Sequence, residues 1–100
     1  MSAPDVFKFR LYVADEAINS TRASANLAAI CSRYLAGRHE VETIDVLLDP
    51  MRALADHIYM TPTLLKLGPL PMRRIVGNLS QTDTVLMALG IDLAQVSVGP

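Results

Sequence analysis

Cysteine is nearly absent: Cys31 is the only one among 100 residues. No internal disulfide can form, which excludes a disulfide-stapled secreted scaffold and fits a reducing compartment. An excess of charge of either sign is also missing, with nine basic residues against ten acidic ones and a formal net charge of −1. No global field then draws the chain onto nucleic acid or an anionic membrane, so neither partner is expected. Apolar runs stay well short of the roughly 18 residues a transmembrane helix needs, and Met1 to Arg10 shows neither a basic start nor a long apolar stretch. The expected address is cytoplasmic. The five glycines are scattered, which leaves no glycine-rich loop to cradle a phosphate.

What the chain does have is material for a core. Half of it is hydrophobic (51%) and only 19% is charged, a balance that argues for a packed fold of one small domain and against disorder. Alternation marks Val6 to Ala14 as a strand, with Phe7, Phe9, Leu11 and Val13 on one face and Val6, Lys8, Arg10 and Tyr12 on the other. Asn19 or Ser20 offers an N-cap oxygen, and Ala23, Leu27, Ile30, Cys31, Tyr34 and Leu35 recur at helical spacing, predicting a helix over Ser20 to Ala36 with Gly37 as its stop. Glu40 to Leu48 reads as a second strand, closed by Asp49-Pro50, and Pro50 to His57 as a short helix. Leu64 to Leu67 and Arg73 to Val76 read as strands joined by the turn Gly68-Pro69-Leu70-Pro71. Ser80 as N-cap and Asp83 in the first turn predict a closing helix over Gln81 to Leu89.

The order is strand, helix, strand, helix, strand, strand, helix. That βαβαββα sequence, with a right-handed first crossover, is the minimal thioredoxin-like α/β arrangement. Ile91 to Pro100 has no clear place in it. In such a fold Pro62, within Thr61-Pro62-Thr63, is expected to follow a cis peptide bond at the strand entrance.

Thiol chemistry on this fold needs a cysteine at the start of the first helix, where the helix dipole lowers its pKa. Asp15 and Glu16 stand in that loop instead, and Cys31 lies on the apolar stripe as an expected core residue. His39 and His57 stand apart, with no third ligand nearby in sequence, so no metal site is expected. No Ser, His and Asp arrangement stands out, and no catalytic residue or cofactor is assigned. Arg73-Arg74 could hold an acidic partner, although on an alternating strand such a pair is usually one solvated and one stacked residue.

Five local patterns now fall together: Lys8 to Ala14 (KFRLYVA), Asn19 to Ala23 (NSTRA), Ile44 to Pro50 (IDVLLDP), Thr61 to Leu64 (TPTL) and Arg73 to Ser80 (RRIVGNLS). In this order and spacing they resemble KaiB, the small regulator of the cyanobacterial clock and of related bacterial systems, over about Phe7 to Asp92. The resemblance implies a non-catalytic protein that binds a KaiC-like ATPase ring or an associated histidine kinase and modulates its activity. It also implies two folds for one sequence: a tetrameric ground state ordered βαββααβ and a monomeric thioredoxin-like binding form, a pair that need differ by only a few kcal/mol. A homo-oligomer, dimer or tetramer, is therefore a further expected association.

By position, the resemblance places partner contacts at Arg22, Glu42 and His57. The family usually has Gly where Asp15 stands and often Lys where Glu42 and His57 stand, which weakens or reverses a basic surface. Near the end the usual Gly is Ala88, which favours a helix interior by about 1 kcal/mol. Pro62 and Ala88 are thus the expected fold-determining residues, and the thioredoxin-like form is the expected resting state. The expected organisation is one domain over residues 6–92 followed by a flexible tail over 93–100. A thioredoxin-like sensory or interaction module of a signalling pathway unrelated to a clock is the alternative function.

Overall fold

β1 (Phe7–Val13) shows how alternation builds the molecule. Phe7, Phe9, Leu11 and Val13 are buried on one face; on the other, Lys8 is exposed, Arg10 is half-buried and Tyr12 is wholly enclosed. The computed structural model describes residues 5–14 and 17–91. After β1 come α1 (Ile18–Tyr34), β2 (His39–Asp45), α2 (Pro50–Ala55), β3 (Thr63–Gly68), β4 (Arg73–Val76) and α3 (Thr82–Leu89). This is the βαβαββα order and not βαββααβ. The tail expected over residues 93–100 lies outside the described residues.

The four strands form one sheet in the order β2-β1-β3-β4. β1 runs parallel to β2 and antiparallel to β3, and β3 is antiparallel to β4. A parallel pair needs a long crossover, and α1 supplies it. The register sets Leu11 beside Leu64 and Phe9 beside Lys66 on one face, and Arg10 between Glu42 and Leu65 on the other.

Each face has its own core. The larger packs the apolar stripe of α1 (Ala23, Leu27, Ile30, Cys31) and that of α3 (Val85, Leu86, Leu89) against Phe7, Phe9, Leu11, Val13 and Leu64. Ile91, given no place by the sequence, is buried there too. The smaller joins Tyr12, Ile44, Leu65 and Ala53 of α2, with Val46, Ile58 and Leu67 at its margin.

Several element ends differ from expectation for local reasons. α1 starts at Ile18 with Ala17 as N-cap and no side-chain cap. Asn19 and Ser20 are therefore inside the helix, and Ser20 Oγ instead accepts the Ala14 backbone N–H at 3.0 Å, closing the loop behind β1. α1 ends at Tyr34; Gly37 then takes φ +74°, and Arg38 N–H returns to the Leu35 carbonyl at 2.8 Å. β2 stops at Asp45, three residues before Leu48, because Asp45 Oδ1 accepts the Leu47 N–H and its carbonyl accepts those of Leu48 and Asp49. This Asx-type turn takes the backbone out of the ladder. Ser80 is no cap either. Its N–H donates to Asn78 Oδ1, and α3 begins at Thr82 after Gln81.

Helices α2 and α3 close alike. In α3 the Ile91 N–H reaches the Leu86 carbonyl and the Gly90 N–H that of Met87, with Gly90 at φ +72°. In α2 the Ile58 N–H reaches the Ala53 carbonyl and the His57 N–H that of Leu54, with His57 at φ +57°. Both are Schellman closures, in which a left-handed residue lets the chain satisfy the last carbonyls. α2 therefore ends at Ala55, two residues before His57.

Candidate interaction site

The α2 face of the sheet gathers charged groups from four elements. Alternation puts Arg10 and Tyr12 on this face of β1, and the parallel register brings Glu42 of β2 beside Arg10. α2 crosses above them, and β4 approaches from the far side.

Arg10 spans two carboxylates, its Nε donating to Glu42 Oε1 at 3.0 Å and its Nη1 to Asp56 Oδ2 at 2.9 Å. Arg52 forks onto the same Glu42, with Nη1 to Oε2 at 2.8 Å and Nη2 to Oε1 at 2.9 Å. Tyr12 Oη donates to Asp56 Oδ2 and lies 3.1 Å from the Arg52 carbonyl oxygen. From β4, Arg74 donates to the carbonyls of Asp56 at 2.7 Å and His57 at 3.0 Å, placing a cation at the negative end of α2. Two shallow clefts of about 390 and 360 Å³ flank Arg74. Leu65, Leu67 and Met72 line the first, Tyr59, Met60 and Val76 the second, and His57 borders both.

The charges shift one another's protonation. The Arg52 fork, then Arg10, holds the Glu42 carboxyl down at about 2. Asp56 is lowered chiefly by the Tyr12 hydroxyl, with Arg10 adding to it. Burial, then the proximity of Asp56, pushes the Tyr12 phenol up to about 12. All four charged groups are therefore ionised and mutually compensated at neutral pH.

Of the residues singled out by sequence, Glu42 and His57 lie on this face, with Glu42 reaching α2 through Arg52. His57 is exposed, its Nδ1 3.3 Å from the Tyr59 hydroxyl. Arg22 is elsewhere: it is exposed on α1, which packs on the opposite face. Pro62 is buried after a cis Thr61-Pro62 bond, as expected, and Gly68-Pro69 and Leu70-Pro71 are cis as well. Ala88 lies within α3. Cys31 is in the core, where burial pushes its thiol up to about 11. Arg73 and Arg74 are both exposed rather than one stacked. Among the described residues no group of three or more His, Cys, Asp or Glu side chains converges, and no helix is long and apolar enough to cross a membrane.

Sequence reasoning missed Arg10, Tyr12, Arg52 and Asp56. Alternation marked the face of Arg10 and Tyr12, but the partners of Arg10 are 32 and 46 residues away and those of Tyr12 are 40 and 44.

The sheet order, the α1 crossover and the buried cis-proline define a thioredoxin-like domain with no thiol at the start of α1. Solved structures share this fold. The N-terminal domain of Synechococcus elongatus SasA superposes with a TM-score of 0.71 at 18% identity, covering 93% of this chain and 91% of that one. Chloroplastic thioredoxin z gives 0.71 at 19% identity, covering 88% and 81%. Within that class the chain belongs to the KaiB family, whose KaiB domain model matches residues 10–91. Circadian clock protein KaiB3 of Synechocystis sp. is 44% identical over 82% of this chain and 80% of its own length. Circadian clock oscillator protein KaiB of Synechococcus elongatus is 43% identical over 93% and 89%.

Proposed function

We propose that this chain is a non-catalytic, clock-type regulator that binds a KaiC-like ATPase ring or an associated histidine kinase and modulates its activity. The observation that carries this reading is the family membership, whose match spans residues 10–91. The position where the fold performs thiol chemistry holds Asp15 and Glu16, so recognition is the use left to it. Arg22 and His57 are the exposed contacts we assign, and Glu42 belongs to the same machinery through its ion pairs. Pro62 and Ala88 favour the thioredoxin-like form as the binding form, carried by a single domain over residues 6–92.

Size-exclusion chromatography with a KaiC-type ring, in ATP and in ADP, tests the reading. Co-elution in at least one nucleotide state, weakened by Arg22→Ala and His57→Ala, is the expected result. Failure to co-elute with the ring in both states, and with the sensory domain of an associated kinase as well, would favour a signalling module unrelated to a clock.

A further inference from the structure

Helix α2 is short and thinly packed. Of its six residues only Ala53 is buried, whereas Met51 and Leu54 are 72% and 63% exposed. Apolar burial therefore does little to fix it, and what grips it is polar. Glu42 takes the Arg52 fork near the middle of the helix, while Arg10 passes from Glu42 to Asp56 at its end. One alternating chain of guanidinium and carboxylate thus ties β1 and β2 to α2 at two points. Exposed ion pairs usually contribute little, but a bidentate fork inside a network is the arrangement in which they count.

We infer that Glu42 is a latch that holds α2 against the sheet, and that it acts on a partner by placing α2 rather than by touching that partner. The Glu42 side chain is 47% exposed, but both its oxygens are engaged by Arg52 and Arg10, so its charge is already spent within the protein. The exposed apolar side chains Leu47, Leu48, Met51 and Leu54 are presented at an angle the latch sets. The consequence for recognition rests on the proposed function, but the latch is read in the isolated chain, so the two fail separately.

The test is amide hydrogen exchange over Ala53 to Ile58 in wild type, Glu42→Gln, Glu42→Lys and the double variant Glu42→Lys/Arg52→Glu. Exchange should rise several-fold in E42Q and by about tenfold in E42K, while the β1 amides stay as in wild type. The double variant rebuilds the 42–52 bridge with reversed polarity but sets a lysine at position 42 beside Arg10, so it should recover part of the protection lost in E42K. Added NaCl should speed wild-type exchange in this segment more than exchange in E42Q, which keeps only the Arg10–Asp56 pair, a response no purely steric contact gives. Unchanged α2 exchange in E42K, or no recovery in the double variant, overturns the latch. Binding to a KaiC-type ring supplies the second readout. A latch predicts that E42K weakens binding and that the double variant restores it to the extent that it restores α2 protection, although position 42 still carries the reversed charge. Binding that follows the sign of position 42 and not the exchange rate assigns Glu42 a direct contact and overturns the inference.

Discussion

The two faces of the sheet are held by different physics. Toward α1 and α3 the contact is a continuous apolar core, with Phe9, Leu11, Leu27, Leu64 and Leu89 each 2% exposed or less. Toward α2 the buried layer is four residues with Val46, Ile58 and Leu67 at its margin, and a network of charges adds to the contact. A core scales with buried area and tolerates salt; an ionic layer depends on geometry and ionic strength. The same contrast recurs at the helix ends, where α3 closes on Gly90 and α2 on His57 in the same left-handed conformation. One helix is built into the domain, and the other is attached to its surface.

The largest expected effect breaks the apolar face. Leu64→Ala empties the space where β3 meets α1 and α3 and should lower unfolding free energy by about 2–5 kcal/mol in urea titration. Tyr12→Phe attacks the other face by removing the hydroxyl that donates to Asp56, and should cost about 1–3 kcal/mol. Its effect should fade between pH 10 and pH 12. The raised Tyr12 pKa means its contribution is complete below pH 10 and lost as pH passes about 12.

His57→Gly should sharpen the comparison in the opposite direction. Giving α2 the residue that closes α3 removes a left-handed side chain, so the melting temperature should rise by an amount equivalent to about 1 kcal/mol. If His57 is a contact, the same variant binds its partner more weakly while being more stable.

Smallest in stability are two titrations. Lys66, on the apolar face, donates to the Leu89 carbonyl at 2.9 Å, and burial lowers its pKa. A cation with a lowered folded-state pKa makes the fold less stable where it is charged. Wild type should therefore gain stability relative to Lys66→Met as pH rises toward 10.5. On the other face, the Glu42 carboxyl carbon should titrate by NMR near pH 2, and Arg52→Gln should move the midpoint up toward the usual carboxylate range. The latch is thus present at neutral pH and lost only as pH falls through that low value.

The apolar face was legible in the sequence and the ionic face was not. Period two in β1 and the stripe from Ala23 to Leu35 are repeated signals, and each names the residues that meet in the core. Ser20 and Ser80 misled because a serine near a helix start can cap it or serve the loop: the Ser20 hydroxyl accepts from Ala14, and Ser80 is tied to Asn78 Oδ1 through its backbone N–H. Asp45 ended β2 early by the same kind of local bond. Arg10, Glu42, Arg52 and Asp56 carry no pattern of their own. Their meeting depends on strand register and on the seat of α2, and only the resemblance drew attention to position 42.

Cys31 has a practical consequence. Burial pushes the Cys31 thiol up to about 11 and leaves the residue 1% exposed, so the reactive thiolate is disfavoured at pH 7. The native protein is expected to react slowly with maleimide reagents, so a cysteine introduced at an outward site such as Met87 or Leu54 should accept a fluorophore or spin probe in preference to the natural one. Distances between α2 and α3 could then be followed in solution on an otherwise unaltered background.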